Sequence, residues 1–164
     1  MRIEISQNNY IAGDLDFNFN IIKDEYLKAC DESCDLIVFS ELAICGYPVD
    51  DSLRKDYFVK EVWQKIERIV ELTASKNCAI LLGVPILKEG LLYNAVLFIK
   101  DGEVQKEILK KELPNYKLFD EKRYFKASKK LDYFELSDKR ISVLICEDAL
   151  REENIEKIKS HESD

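Results

Sequence analysis

A cysteine attacks an amide carbonyl only as its thiolate, and a free thiol with a pKa near ~8.5 is mostly protonated at neutral pH. Three chemistry-bearing side chains in this 164-residue sequence stand out by position: Glu41, Lys110 and Cys146. Each follows the carboxyl end of a strand-like run. Glu41 comes after 36–39 and Lys110 after 104–109. Cys146 comes after 141–145 and leads into Glu147 and Asp148. Strand carboxyl ends are where α/β sheets handle ligands. Together the three residue types could serve attack by a thiol on a carbonyl. A carboxylate in a desolvated pocket accepts the thiol proton, and an ammonium stabilises the charge that builds on the carbonyl oxygen. Singly, each has an ordinary reading as well. A Glu after a strand caps a helix or faces water, a Cys at a strand end packs as a small hydrophobe, and a Lys at a hairpin end is solvated.

Other mechanisms are poorly supplied. The single histidine, His161, lies three residues from the C-terminus in a polar tail. A Ser-His-Asp or Cys-His site is therefore not expected. The five cysteines are Cys30, Cys34, Cys45, Cys78 and Cys146. An odd count with no secretory signal argues against a disulfide framework. Cys30 and Cys34, four apart and able to share a helix face, read as packing rather than as half of a metal site. No metal is expected.

The elements that must position these residues follow from periodicity. Residues 2–7 alternate as a strand. Apolar positions recur at three and four from Phe19 to Cys30, which predicts a helix over about 16–33. Leu36 to Phe39 and Cys78 to Ile86 read as strands buried on both faces, with a helix over about 60–76 between them. Leu92 to Lys100 and Val104 to Leu109 form a hairpin about the Asp101-Gly102 turn. Lys111 to Lys130 is a long loop, rich in aromatics, of the kind that is usually functional. A last strand pair, 131–136 and 140–145, precedes a helix at 151–159. The order β-α-β-α-β-β-β-loop-β-β-α indicates α/β layering.

Composition sets the class. Hydrophobic residues make up 46%, charged residues 35%, and the formal net charge is −7. This suits a globular domain with a real core and not a nucleic-acid binder. No apolar run approaches the ~18 residues of a membrane span, and no leader pattern opens the chain. A cytoplasmic protein without membrane partners is the expectation.

Local sequence joins the three residues to a family. Phe39-Ser40-Glu41-Leu42-Ala43-Ile44-Cys45-Gly46-Tyr47-Pro48 resembles the Glu motif of the nitrilase (carbon–nitrogen hydrolase) superfamily. Lys110-Lys111-Glu112-Leu113-Pro114-Asn115-Tyr116 resembles its Lys motif, and Leu144-Ile145-Cys146-Glu147-Asp148 its Cys motif. All three stand in the family's order, and the opening with Gln7-Asn8, Gly13-Asp14, Asn18 and Asn20 is similar too. Leu113-Pro114-Asn115-Tyr116, Phe119-Asp120-Glu121-Lys122-Arg123-Tyr124-Phe125 and Gly46-Tyr47-Pro48-x-Asp50-Asp51 look most like the N-terminal glutaminase domain of glutamine-dependent NAD synthetases. Ser40 departs from the family's usual Pro, and Ala149-Leu150 stands where the subgroup has an aromatic.

The resemblance implies an α/β fold, the N-terminal part of a nitrilase-type αββα sandwich, incomplete. It spans 1–164 as a single partial domain, with the synthetase domain absent; the chain stops 18 residues after Cys146. A sheet ending at 145 would leave an unpaired edge and an uncovered apolar face. The implied site has Cys146 as nucleophile and Glu41 as base. Lys110 and the backbone N–H of Glu147 hold the oxyanion, Glu121 supports the pocket, and Tyr116 lines the substrate side. The implied substrate is a small amide, L-glutamine, whose ammonia serves NAD synthesis. The amidase step needs no cofactor, since ATP and deamido-NAD belong to the synthetase domain. Implied partners are a complementary half-domain or a separate synthetase chain, and further copies in a homo-oligomer. Two readings stand: a glutamine amidohydrolase, or a non-catalytic remnant or subunit that complements a separately encoded half.

Overall fold

In the computed structural model, which describes residues 1–160, the helices and the sheet are built around strands apolar on both faces. β1 (Ile3–Ile5), β2 (Leu36–Val38), β3 (Ala79–Lys88), β4 (Leu91–Lys100) and β5 (Glu103–Leu109) form one sheet in that spatial order. β1, β2 and β3 are parallel. β4 runs antiparallel to β3, and β5 antiparallel to β4, so β2, β3 and β5 point the same way. Parallel neighbours need crossovers. α1 (Leu15–Asp31) and α2 (Asp56–Thr73) supply them.

Side-chain alternation divides β3 between two cores. Ile80, Leu82, Val84 and Ile86 face α1 and α2, packing with Phe19, Ile22, Tyr26, Val62, Ile66 and Ile69. Ala79 and Leu81 face the other way, with Leu36, Val96, Phe98 and Ile108. That second face is covered by a separate hairpin, β6 (Tyr133–Leu136) and β7 (Lys139–Ser142), through Phe134 and Leu136. Phe134 stacks on Phe98 with ring centroids 4.2 Å apart. The face expected to lie open is thus partly closed by the chain's own hairpin. Among the described residues, no helix is long and apolar enough to cross a membrane.

The helices begin and end for local reasons. Asp14 caps α1, its carboxylate accepting from the Phe17 N–H at 3.0 Å. α1 stops at Asp31, with Ser33 in the left-handed region at φ 56°. Cys34 therefore lies beyond the helix and shares no helix face with Cys30. β7 ends at Ser142, three residues short of the expected strand end. Residues 143–145 leave the hairpin to enter a 3-10 helix, Cys146–Leu150, that precedes α3 (Glu152–Ser160). A second 3-10 turn, Glu121–Arg123, gives the long loop its regularity. His161 lies outside the described residues.

Candidate active site

Glu41 opens the turn that follows β2. That turn lies directly on β3, because Gly83 has no side chain: a Cβ there would stand 2.3 Å from the Ser40 carbonyl oxygen and 2.8 Å from the Glu41 Cα. Asn18 ties the same turn to the segment before α1, donating to the Ile11 carbonyl at 2.8 Å and to the Ile44 carbonyl at 3.3 Å. Lys110 follows β5, with its N–H donating to the Asn94 carbonyl of β4 at 2.9 Å. Because β2 and β5 run in the same direction, Glu41 and Lys110 emerge at one end of the sheet.

Lys110 is completely buried. Its ammonium donates to Glu41 Oε1 at 2.5 Å and to both oxygens of Glu121 at 2.8 and 2.9 Å. Burial alone would pull the ammonium down. Glu41 and Glu121 outweigh that and hold Lys110 above its ordinary value. Glu121 is also buried, and burial pushes its carboxyl up, with the Lys110 ammonium opposing. The Tyr47 hydroxyl donates to Glu121 Oε1 at 3.1 Å.

Cys146 sits in the left-handed region, at φ 47°. For a residue bearing a Cβ this is strained. The strain is held by Asp148, whose carboxylate accepts from the N–H groups of Lys111, Glu112 and Ile145 at 3.1, 2.6 and 3.1 Å. One side chain thereby ties the Cys turn to the strand end carrying Lys110. Cys146 is the exposed cysteine of the five. Burial of its thiol raises its pKa first, then the neighbouring Glu41 carboxylate; Lys110 works the other way. Glu147 is second in the 3-10 helix, so its N–H has no acceptor within the turn.

The other expected residues fall at the rim. Tyr116 is half-exposed, and its hydroxyl donates to Glu147 Oε2 at 2.8 Å. Tyr116 meets Phe119 edge-on at 5.5 Å, and Phe119 meets Tyr47 at 6.4 Å. An aromatic arc therefore runs from the Glu147 carboxylate to that of Glu121. Arg151 closes on Glu147 at 2.8 Å. Motif reading missed Asn94, Tyr47 and Asp148. Asn94 carried a signal: it is the one amide inside the apolar run of β4, and Asn is depleted in strands.

This arrangement offers a thiol, a neighbouring carboxylate, a buried ammonium and a backbone N–H without an acceptor in its turn, where β2 and β5 of a mixed sheet end. The chain matches the carbon-nitrogen hydrolase family over residues 2–163 and belongs to that family. More particularly, it is 33% identical over 160 residues to the glutamine-dependent NAD(+) synthetase of Aquifex aeolicus, covering 96% of this chain and 27% of that protein. The namesake from Thermotoga maritima is 33% identical over 148 residues, covering 90% and 26%. In three dimensions the chain superposes on the glutamine-dependent NAD+ synthetase from Acinetobacter baumannii with a TM-score of 0.91 and 31% identity, over 99% of this chain and 30% of that one. An amidase of the nitrilase superfamily from Nesterenkonia shares the fold at a TM-score of 0.85 and 19% identity, with 99% and 62% covered. The chain thus spans roughly a quarter of the curated relatives it matches.

Proposed function

We propose that this chain carries the amide-hydrolysing site of a glutamine-dependent ammonia supplier, acting through a Cys146 thioester. One observation carries the reading: a fully buried Lys110 is held between Glu41 and Glu121, beside a cysteine on a strained turn. Buried lysines are costly unless a task keeps them.

In the proposed reaction Glu41 takes the Cys146 proton as Sγ attacks the side-chain carbonyl of glutamine. The C–O π pair moves onto oxygen, and Lys110 and the Glu147 N–H stabilise that oxyanion. Collapse breaks the C–N bond, and Glu41 returns its proton to the departing nitrogen, so ammonia leaves and a thioester remains. Glu41 then activates a water that cleaves the thioester to glutamate and restores the thiol. The sum is glutamine plus water giving glutamate plus ammonia. No cofactor takes part. ATP and deamido-NAD would act on a synthetase portion outside these residues, which consumes the ammonia. Tyr116 and the aromatic arc face the substrate side, and Glu121 fixes Lys110.

The test is ammonia release from glutamine by the 164-residue polypeptide, alone and with the remaining portion of a full-length relative added. We expect slow turnover alone. The thiolate, base and oxyanion donors must be held to within about half an ångström, and a carbonyl misplaced by ~1 Å costs about 100-fold. Addition of the complementary portion should raise the rate. Glu41→Gln should lower it by ~100- to 10,000-fold, and Cys146→Ala should abolish it. Turnover that survives Cys146→Ala would sink the reading. Absence of turnover in every combination would favour a non-catalytic chain.

A further inference from the structure

Asn94 is completely buried in β4, in the middle of an apolar strand. Its backbone carbonyl receives the Lys110 N–H. Its side-chain amide donates to Glu41 Oε1 at 2.6 Å, and the same nitrogen lies 3.4 Å from Glu121 Oε2. The amide oxygen, Oδ1, is buried without a partner. A buried acceptor left unmade is destabilising. Turning the amide over would aim Oδ1 at a carboxylate oxygen and leave the NH2 group unpaired instead. The orientation seen puts the donor where the negative charge is.

Glu41 Oε1 therefore receives two donors, Lys110 Nζ and Asn94 Nδ2. Among the described residues, Oε2 receives no nitrogen or oxygen donor. We propose that Asn94 is a positioning residue for the reaction: by occupying Oε1 it fixes the Glu41 carboxylate and leaves Oε2 as the oxygen that takes the Cys146 proton. Without Asn94, Lys110 alone would hold Glu41, and Lys110 is shared with Glu121. The carboxylate could then rotate about its terminal torsion, a broad two-fold well, and present the Lys-bound oxygen to the thiol. This inference rests on Glu41 serving as base in the amidase reading.

The groups facing Glu41 are Lys110 from the end of β5, Glu121 and Tyr47 from the two loops, and Cys146 from its 3-10 helix. Asn94 adds to that circle an uncharged donor bonded to Glu41 itself. Its loss takes a hydrogen bond from the Glu41 carboxylate and leaves every neighbouring charge in place.

The test follows iodoacetamide alkylation of Cys146 against pH, by peptide mass spectrometry, in the 164-residue chain. Glutamine turnover is not needed. In the wild type we expect an acid-side step in rate that Glu41→Gln removes. Asn94→Leu keeps the branching of the side chain and removes both the donor and the unpaired oxygen. Its melting temperature should hold or rise, while the step moves up by about one pH unit, the worth of a hydrogen bond to a charged group. Asn94→Asp, which keeps the side-chain shape, should shift the step in the same direction. A lowered melting temperature with an unmoved step would show a purely structural role and overturn the proposal, and the unmoved step in Asn94→Asp decides this even if Asn94→Leu fails to fold. A wild-type step that persists in Glu41→Gln would instead remove Glu41 as base, and with it both the proposal and the reading beneath it.

Discussion

Lys110 has no exposed surface and two carboxylates on its ammonium, so its charge is both expensive and held. Removing one member of such a cluster leaves the others uncompensated. Lys110→Met should cost about 3–5 kcal/mol in urea denaturation, and adding Glu121→Gln should recover part of it. The sign with pH follows from the cluster. Lys110 is held above its ordinary 10.5, so its contribution is fully present below that value and is lost as pH climbs through the raised one. The gap in melting temperature between wild type and Lys110→Met should stay constant at neutral pH and narrow beyond 10.5. A gap that closes at neutral pH would contradict the ion cluster. From sequence, Lys110 reads by itself as a solvated hairpin end, and motif order alone raised it above that. Its burial was illegible because both covering groups come from far along the chain: Glu41 from the turn after β2, Glu121 from the long loop. Asn94 was legible in principle, as an amide where β4 offers apolar neighbours on every side.

At the scale of elements, the expected order of strands and helices agrees with the structure, because apolar periodicity marks buried faces directly. The misses come where the backbone is fixed by side chains instead. β7 gives out at Ser142 because the following residues are gathered by Asp148 into the Cys146 turn. The loop at 111–130 holds its shape through bonds such as the Glu121 N–H to the Pro114 carbonyl, at 3.2 Å, which no periodicity reports. Gly83 shows how closely the elements are set. It marks a near approach of another backbone, a common reason for Gly within a strand. A methyl at that position would meet the Ser40 oxygen, the Leu42 nitrogen and the Glu41 Cα, all main-chain atoms that cannot swing aside. Gly83→Ala should therefore cost about 3 kcal/mol, the upper part of the range for overpacking, and displace Glu41. A denaturation midpoint within ~0.5 kcal/mol of wild type would mean that the turn does not rest on β3.

At the scale of the molecule, the core under α1 and α2 puts four cysteines under packing and leaves Cys146 outside it. Cys34, Cys45 and Cys78 are buried, Cys30 is half-buried, and Cys146 is exposed. Burial raises Cys45, and it pushes Cys78 up to about 12. Reactivity follows thiolate character and access. Brief iodoacetamide treatment of the native chain should label Cys146 first, Cys30 slowly, and the buried three only after denaturant is added. Equal labelling of all five without denaturant would mean that this core is not formed.

The carboxylate–lysine cluster is completed by residues no later than Glu121, whereas Cys146 comes 25 residues afterwards. On the ribosome, at ~5–20 residues per second, the base and the ammonium exist for roughly one to five seconds before the thiol has been made. The reactive group thus arrives last, on a segment whose Asp148 carboxylate then grips the N–H groups of Lys111 and Glu112 beside the buried ammonium. Glu41, Lys110 and Glu121 are all encoded ahead of the thiol, and the segment that brings the thiol also carries the carboxylate that locks it to them.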